Sequence, residues 1–511
     1  MKRIIKFLMS RVAIVALLIL LQFALIAITV RLFSGYTAVF YTAATVAGWI
    51  AVCRIITRGG NPGYKIAWII VVMIFPPFGV ALYVIFKGNK LSRRRRRSMA
   101  GMSHTVESEC RRLSDDPETL FVDPVARRQS DYITAASLCP PFGGTDVRYF
   151  RTGEEFFPDF LETLRSAKRY IFLEYFIIDR GEMWDEIHSI LVEKARDGVD
   201  VRIIYDDMGC ITHLDTGFNR FLESEGIRCR VFNRFIPVLS ARLNNRNHRK
   251  ICAVDGDAAY TGGVNIADEY INRTHPYGYW KDNAVRLTGR GAWGLTVMFL
   301  SMWDNLGDQG APAPCDLSAY LPQPGISPES DCVVQPYTDN PLDDKPVGET
   351  IYLNMIYSAC EYVWITTPYL VIDYSMEEAL CTAAQSGIDV RVILPAVPDK
   401  FFVNEVTKSN YKRLMSSGVK LYEYSPGFIH QKTFLCDGKY ATVGTVNLDF
   451  RSLYLHFECG VWFCGGRIID DVHRDFSEMF DVSHPVTQDD CRVGLPRRIM
   501  RSVLELLAPL F

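Results

Sequence analysis

The sequence predicts an α/β protein made of two similar domains packed face to face, preceded by an N-terminal transmembrane helical anchor. Beyond residue 140, β-branched strand-like runs alternate with amphipathic helical stretches, an order typical of α/β units with a largely parallel sheet. That order occurs twice, and each copy reaches the same His-x-Lys-x4-Asp motif. Long apolar stretches within the first hundred residues predict the anchor.

The anchor is predicted from three uncharged apolar stretches, at residues 12–30, 32–53 and 66–86. Each stretch is long enough to cross a hydrocarbon core of about 30 Å. A basic collar follows the third stretch and consists of Lys87, Lys90 and Arg93–Arg97. We therefore expect residues 1–97 to form a multi-pass anchor with two or three spans.

Charge is distributed unevenly along the chain. Residues 1–100 hold 15 of the 56 Lys and Arg residues and none of the 58 Asp and Glu residues. The remaining chain is acidic, with 41 basic and 58 acidic side chains, which argues against a general nucleic-acid binder because basic contacts to phosphate supply most of that affinity. Basic residues next to a membrane span are typical of its cytoplasmic side, so the collar predicts that the catalytic domains that follow it are cytoplasmic. The basic residues at positions 2–11 favour the same side for the N-terminus, so the number and orientation of the spans stay open.

The remaining chain divides into a linker at residues 98–140, a first domain at 141–325 and a second at 326–511. The repeat shows in three pairs of predicted strands: 167–178 with 359–372, 198–205 with 387–394, and 228–232 with 419–424. An amphipathic helix is predicted at residues 155–166. The 14 cysteines include no C-x-x-C pair, so we expect neither a disulfide framework nor a cysteine metal site.

Each domain carries one copy of an 18-residue signature, HRKICAVDGDAAYTGGVN from His248 to Asn265 and HQKTFLCDGKYATVGTVN from His430 to Asn447. Lys follows the histidine at +2, Asp-Gly at +7 and +8, Gly at +14 and Asn at +17 in both copies. Positions i and i+2 of a strand share a face, so the histidine and the lysine are expected side by side. The Asp-Gly pair predicts a hairpin turn, and the glycine beyond it predicts a close approach of the backbone to a ligand.

These residue types suit phosphoryl transfer without a metal or cofactor. A neutral histidine can attack phosphorus and form a phosphohistidine, and a second, charged histidine can protonate the leaving alcohol. Lys250 and Lys432 would neutralise the non-bridging oxygens, and Asn265 and Asn447 would donate hydrogen bonds to them.

Four acidic residues are candidate supports for this chemistry. A catalytic histidine usually has a carboxylate that orients its second nitrogen, and Asp282 and Glu458 are the candidates. Asp255 and Asp437 complete the two motifs. They are either direct participants or turn residues, since an Asp-Gly turn needs no catalytic reason.

Both motifs resemble those of the phospholipase D superfamily, and the chain from about residue 53 onward is similar to bacterial cardiolipin synthases of that type. The similar segments are NHRKICAVDG, AYTGGVNIADEY, YGYWKDNAVRLTG and ATVGTVNLDFRSL. The resemblance implies two phospholipase D-like domains, a bacterial plasma-membrane location, and a reaction that joins two phosphatidylglycerol molecules into cardiolipin and releases glycerol. It implies catalytic roles for the residues His248, Lys250, Asp255, His430, Lys432 and Asp437, with His248 as the nucleophile and His430 as the acid/base. Two features depart from the family pattern: the additional apolar stretch, and His456 where the family often has asparagine.

Other functions stay open at this point. A phospholipase D hydrolase, or a phosphatidyltransferase with another alcohol acceptor, would use the same residues. A membrane-tethered nuclease is disfavoured by the acidic balance beyond residue 100. A non-enzymatic scaffold would have to tolerate two intact but unused motifs.

Overall fold

The structure is a computed structural model that describes residues 23–24, 27–28, 31, 37–74, 76–86, 107–234, 245–307, 316–323, 328, 330–342 and 345–510. Most of the apolar stretch 12–30 and the whole basic collar lie outside these residues. Among the described residues between 37 and 86 the helices are α1 (Thr37–Thr57), α2 (Pro62–Ile74) and α3 (Pro76–Phe86).

The predicted span 66–86 is divided between α2 and α3, because proline at the first position of a helix begins α3. The predicted span 32–53 overlaps α1. Within the described residues, no helix combines the length and the apolar character needed to cross a membrane. The multi-pass anchor therefore stays a prediction.

The rest of the described chain alternates strands and helices. The strands are β1 (Thr145–Phe150), β2 (Tyr170–Tyr175), β3 (Asp200–Asp206), β4 (Arg228–Phe232), β5 (Arg246–Asn247), β6 (Ile251–Val254), β7 (Ala258–Gly262), β8 (Tyr279–Lys281), β9 (Ala284–Gly289), β10 (Val333–Asp339), β11 (Tyr362–Thr366), β12 (Leu370–Val371), β13 (Asp389–Pro395), β14 (Lys420–Tyr424), β15 (Gly427–Ile429), β16 (Thr433–Cys436), β17 (Tyr440–Gly444), β18 (Leu448–Asp449), β19 (His456–Cys464) and β20 (Ser483–Pro485). The helices are α4 (Pro117–Leu120), α5 (Pro124–Ser137), α6 (Gly153–Ser166), α7 (Glu182–Arg196), α8 (Phe218–Ser224), α9 (Ala292–Asn305), α10 (Val347–Ser358), α11 (Tyr374–Gln385), α12 (Phe401–Ser416), α13 (Phe450–Tyr454), α14 (Arg467–Asp481) and α15 (Leu495–Leu507).

Two large sheets repeat one topology. The first has the order β1-β9-β7-β6-β2-β3-β4, and the second has the order β10-β19-β17-β16-β11-β13-β14-β20. Along these two strand orders, the neighbours within β2-β3-β4 and within β11-β13-β14 pair in parallel, and all other neighbours pair antiparallel. The expected largely parallel sheet is therefore wrong. The sheets are mixed because short turns, such as those joining β6 to β7 and β16 to β17, return the chain in the opposite direction.

Strand β2, in the interior of the first sheet, faces two apolar cores. Tyr170 and Phe172 of β2 belong to a core cluster that contains residues from both halves of the chain. Ile171 and Leu173, which point the other way, belong to a cluster with residues of α6 and α7. Both faces of β2 are covered, which explains why all six of its residues are buried.

Two short strands pair across the halves. β5, in the first half, pairs in parallel with the start of β19, and β15, in the second half, pairs in parallel with β8. The pairing extends one residue further at each site. The amide of His248 donates to the carbonyl of Phe457 over 2.9 Å, and the amide of His430 donates to the carbonyl of Lys281 over 2.7 Å. The backbone just before each motif is therefore hydrogen-bonded to the opposite half.

The two Asp-Gly pairs form the predicted hairpin turns. Asp255 and Gly256 have φ of +55° and +84°, and Asp437 and Gly438 have φ of +53° and +62°. Positive φ at both central residues is the signature of a type I′ hairpin turn, which matches the twist of the flanking strands.

The turn aspartates also tie each hairpin to the neighbouring central strand. The Asp255 carboxylate accepts three backbone amides at the start of β2, each over 2.8 Å, from Lys168, Arg169 and Tyr170. The Asp437 carboxylate accepts three at the start of β11, over 2.7–2.9 Å, from Cys360, Glu361 and Tyr362. The repeat has thus kept one three-amide contact in both halves.

This contact predicts that Asp255→Asn destabilises the protein. In asparagine, an NH₂ group replaces one of the two oxygens that accept backbone amides. That NH₂ would face a backbone N–H, which would lose its acceptor at a cost of about 1–3 kcal/mol. We expect a lower urea midpoint for Asp255→Asn and for Asp437→Asn. The matched control is Asp257→Asn in the same turn, where the carboxylate accepts the Gln323 amide over 2.9 Å. A midpoint for Asp255→Asn equal to that of the control would remove the proposed structural role.

Candidate active site

The two motif histidines lie where the halves meet. His248 follows β5 and His430 follows β15, and both side chains are buried. Residues 248–250 and 430–432 lie between strands, so the expected position of each His-x-Lys within one strand is wrong. The reason is that the backbone leaves a strand paired with the opposite half and enters β6 or β16 of its own sheet.

Each histidine is hydrogen-bonded to a carboxylate of the opposite half. Nδ1 of His248 lies 2.9 and 3.0 Å from the two carboxylate oxygens of Glu458. Nδ1 of His430 lies 2.7 Å from Oδ2 of Asp282. Both carboxylates are fully buried. An Nδ1–H that donates to a carboxylate leaves the Nε2 lone pair free, which is the state that a nucleophile or base needs.

Neighbouring residues hold these carboxylates in place. The hydroxyl of Thr445 donates to Glu458, and the amide of Asn283 donates to Asp282 over 2.9 Å. Gly263 has its backbone against Asp282, and a Cβ added at this glycine would collide with the carboxylate. Gly262, at position +14 of the motif, similarly leaves no room for a Cβ against the backbone of Asn283. These glycines therefore allow close contact with protein groups, whereas the sequence suggested close contact with a ligand.

Both motif lysines are buried next to their histidines. Nζ of Lys250 donates to the carbonyl of His248 over 2.8 Å, and Nζ of Lys432 donates to the carbonyl of His430 and lies 2.9 Å from Nδ1 of that residue. Burial lowers the pKa of Lys250 to about 8 and that of Lys432 to about 7, against the attraction of the nearby carboxylates. Two ammonium groups are thus held where an anion would stabilise their charge.

The electrostatics link all four motif side chains into one site. Burial lowers the pKa of His248 and that of His430 well below the usual 6.5. The charges of Lys250 and Lys432 lower both histidine pKa values further, each lysine acting on both histidines. Without an anion, both imidazoles are therefore neutral near pH 7.

The two motif asparagines have different surroundings. Asn265 donates from Nδ2 to the hydroxyl of Tyr270 over 2.6 Å and accepts the amide of Ile177 over 3.2 Å. The side-chain oxygen of Asn447 is buried and makes no hydrogen bond within the described part of the chain. Their predicted contacts with phosphate stay predictions.

Sequence reasoning missed the aromatic walls of the site. The Tyr270 ring lies edge-on to His430, with centroids 5.4 Å apart, and the Phe176 ring lies edge-on to His248 at 5.0 Å. Tyr270 lies within one of the segments that carried the family resemblance, but nothing in its spacing marked it. Asp255 and Asp437, in contrast, make no hydrogen bond to a motif histidine or lysine in the described ranges.

Comparison with known proteins gives matches over most of the chain. Residues 160–284 and 352–480 match the family described as cardiolipin synthase, PLD-like domain, and residues 46–88 match the phospholipase D-nuclease N-terminal family. An uncharacterised protein of Streptococcus mutans is 38% identical over 450 residues, covering 87% of this chain and 96% of the relative. Cardiolipin synthase 2 of Bacillus anthracis is 32% identical over 473 residues, covering 91% of this chain and 90% of the relative. The cardiolipin synthase of Geobacillus kaustophilus is 32% identical over 504 residues, covering 97% and 99%.

A solved structure supports the fold. The crystal structure of phosphatidylserine synthase from Haemophilus influenzae covers 76% of this chain and 98% of its own, with a TM-score of 0.58 and 15% sequence identity. The repeated mixed sheets and the paired motifs agree with the two-domain match, and the relatives align over nearly their full length. On these grounds the chain belongs to the cardiolipin synthase family with phospholipase D-like domains.

Proposed function

We propose that this protein is a cardiolipin synthase that transfers a phosphatidyl group from one phosphatidylglycerol molecule to another and releases glycerol. The observation that carries the proposal is the crossed pair of histidine–carboxylate contacts, with two buried lysines beside them. This set supplies a nucleophile, an acid/base and two cations for a phosphodiester. Family membership supports the choice of a phospholipid substrate.

In the first half-reaction, Nε2 of His248 attacks the phosphorus of the first phosphatidylglycerol. The bond between phosphorus and the glycerol headgroup oxygen breaks, and His430 gives that oxygen a proton, so that glycerol leaves. The substrate phosphate raises the proton affinity of the imidazoles, which allows His430 to carry the proton at that stage. The product is a phosphatidyl group on His248.

In the second half-reaction, neutral His430 takes a proton from the primary hydroxyl of the second phosphatidylglycerol. The oxygen attacks phosphorus, the phosphorus–nitrogen bond breaks, and cardiolipin forms. Lys250 and Lys432 stabilise the charge on the non-bridging oxygens in both steps. Asp255 and Asp437 act through the structure, by fixing the hairpins that follow the motifs.

The proposed site of action is the bacterial plasma membrane. Apolar side chains of α1 and α2 are exposed, which suits contact with lipid: Val46, Trp49, Ile50, Ile66 and Ile74. The number of spans and the cytoplasmic position of the catalytic domains remain predictions from sequence. The acidic balance beyond residue 100 supports the choice of a lipid over a nucleic acid.

The first test follows lipid products and free glycerol from the full chain in phosphatidylglycerol vesicles. We expect cardiolipin and glycerol in equal amounts, and a loss on the order of 10³-fold or more in His248→Ala because this variant lacks the proposed nucleophile. The matched control is His484→Ala, a histidine with its side chain 55% exposed, which should behave like the unaltered chain.

The products decide between the alternatives. Phosphatidic acid as the main product would mean that water is the acceptor and that the enzyme is a phospholipase D. A different phosphatidyl ester in mixed vesicles would mean another alcohol acceptor. Cardiolipin formation that persists in His248→Ala would overturn the assigned nucleophile.

A substrate with a better leaving group separates the two histidines. A p-nitrophenyl ester of phosphatidic acid releases a phenolate that needs no proton, so the first step no longer requires a general acid. We expect His430→Ala to release p-nitrophenol in a burst and to retain phosphorus on the protein, whereas His248→Ala does neither. A burst in His248→Ala and none in His430→Ala would exchange the two roles.

The pH profile of kcat/KM reports the free enzyme. Lys432 and Lys250, with pKa values of about 7 and about 8, are charged below these values and neutral above them, so kcat/KM should fall as pH rises through that range. Burial raises the pKa of Asp282 to about 6, so protonation of this carboxylate should lower kcat/KM below about pH 6. An alkaline limb near the usual lysine value of 10.5 would contradict the assignment.

A further inference from the structure

His456 lies beside the first histidine–carboxylate contact and has no role in the proposed reaction. Its side chain is only 11% exposed, and neither ring nitrogen makes a hydrogen bond within the described residues. Nδ1 of His456 lies 3.5 Å from Oε1 of Glu458, and its ring centroid lies 5.6 Å from that of His248. A buried polar group without a hydrogen bond is uncommon and costs free energy, so a missing partner is the natural explanation.

Three groups at this point have the chemistry of a metal site. One ligand atom from each of His248, His456 and Glu458 lies within 4.8 Å of the other two. Zinc binds imidazole nitrogen and carboxylate oxygen at about 2.0–2.2 Å, which places the ligands of a tetrahedral ion about 3.3 Å apart. One carboxylate oxygen, Oε1 of Glu458, lies 3.0 Å from Nδ1 of His248 and 3.5 Å from Nδ1 of His456, and both separations lie near that value.

The geometry points to an inhibitory Zn²⁺ site formed by His248, His456 and Glu458, with an open fourth position for water. The inhibitory effect rests on the proposed function, because it requires His248 to be the nucleophile. The ion binding itself rests only on the three side chains.

The metal would make His248 unable to act as a nucleophile, because it would change which ring nitrogen carries the proton. In the contact with Glu458, Nδ1 carries the proton and Nε2 carries the free lone pair. A zinc ion on Nδ1 takes the lone pair of that nitrogen, and the proton moves to Nε2. No proton is lost from the imidazole, but Nε2 no longer has electrons with which to attack phosphorus. Glu458 is also drawn away from its orienting role.

The second motif provides an internal contrast. At His430 the position beside Nδ1 is occupied by the Lys432 ammonium group at 2.9 Å, whereas at the first motif the ammonium group of Lys250 donates to the carbonyl of His248. Among the residues that the structure describes, the three-ligand group occurs only at the first motif. Zinc is therefore expected to bind His248 and not His430.

The binding test uses the full chain, freed of metal by a chelator, with Co²⁺ as a spectroscopic substitute for Zn²⁺. We expect the intense visible absorption of tetrahedral Co²⁺, displaced by Zn²⁺, and its loss in His456→Asn and His456→Gln. His484→Asn is the matched control for loss of a histidine. His430→Ala should keep the absorption although the proposed reaction requires this residue, so binding is measured independently of turnover.

The kinetic test measures the Zn²⁺ concentration that halves cardiolipin formation, each variant relative to its own metal-free rate. We expect His456→Asn to raise that concentration at least about tenfold, because loss of one of three protein ligands weakens the site. Equal Zn²⁺ sensitivity in His456→Asn, or only octahedral Co²⁺ absorption in the unaltered chain, would overturn the proposal. A chain that binds Co²⁺ as expected but forms no cardiolipin would instead refute the proposed function.

Discussion

Two short backbone pairings between the halves, β5 with β19 and β15 with β8, determine the rest of the site. Each runs directly into a motif histidine on one strand and approaches the carboxylate of the opposite half on the other. Backbone hydrogen bonds hold the two paired segments at each site, so the position of each imidazole relative to its carboxylate is set by the main chain. The shared apolar core then holds the two sheets at the separation that these pairings require.

The site concentrates charged groups in a place from which water is largely excluded. Burying an ammonium group is costly unless an opposite charge compensates it, and the lowered pKa values of Lys250 and Lys432 express that cost. Asp282 and Glu458 compensate the lysines in part. A phosphodiester would supply a further negative charge, so part of the free energy spent on burying these cations is recovered when the substrate and its transition state bind.

Much of this arrangement could be predicted from the residues. The strand at 228–232 has the predicted bounds, both Asp-Gly turns form hairpins, and the repeat is present throughout. The sequence identified Asp282 and Glu458 as candidate carboxylates but not which histidine each contacts, because the partners lie 148 and 210 residues apart along the chain. The expectation that residues i and i+2 share one face of a strand failed at His248-Arg249-Lys250, because these residues lie between two strands and not within one. The contact of Asn265 with Tyr270 depends on side-chain packing that no local pattern encodes.

Splitting each histidine–carboxylate contact between the halves has a consequence for ancestry. A single half, standing alone, would carry an imidazole without its own carboxylate and would need a second copy to complete it. Two identical copies related by a twofold axis would satisfy both contacts at once, since such an interface is self-complementary. The present chain has the connectivity of that symmetric dimer, fused into one polypeptide. Within one polypeptide the two copies need not be identical, and Lys281 precedes Asp282 where Phe457 precedes Glu458 at the equivalent position.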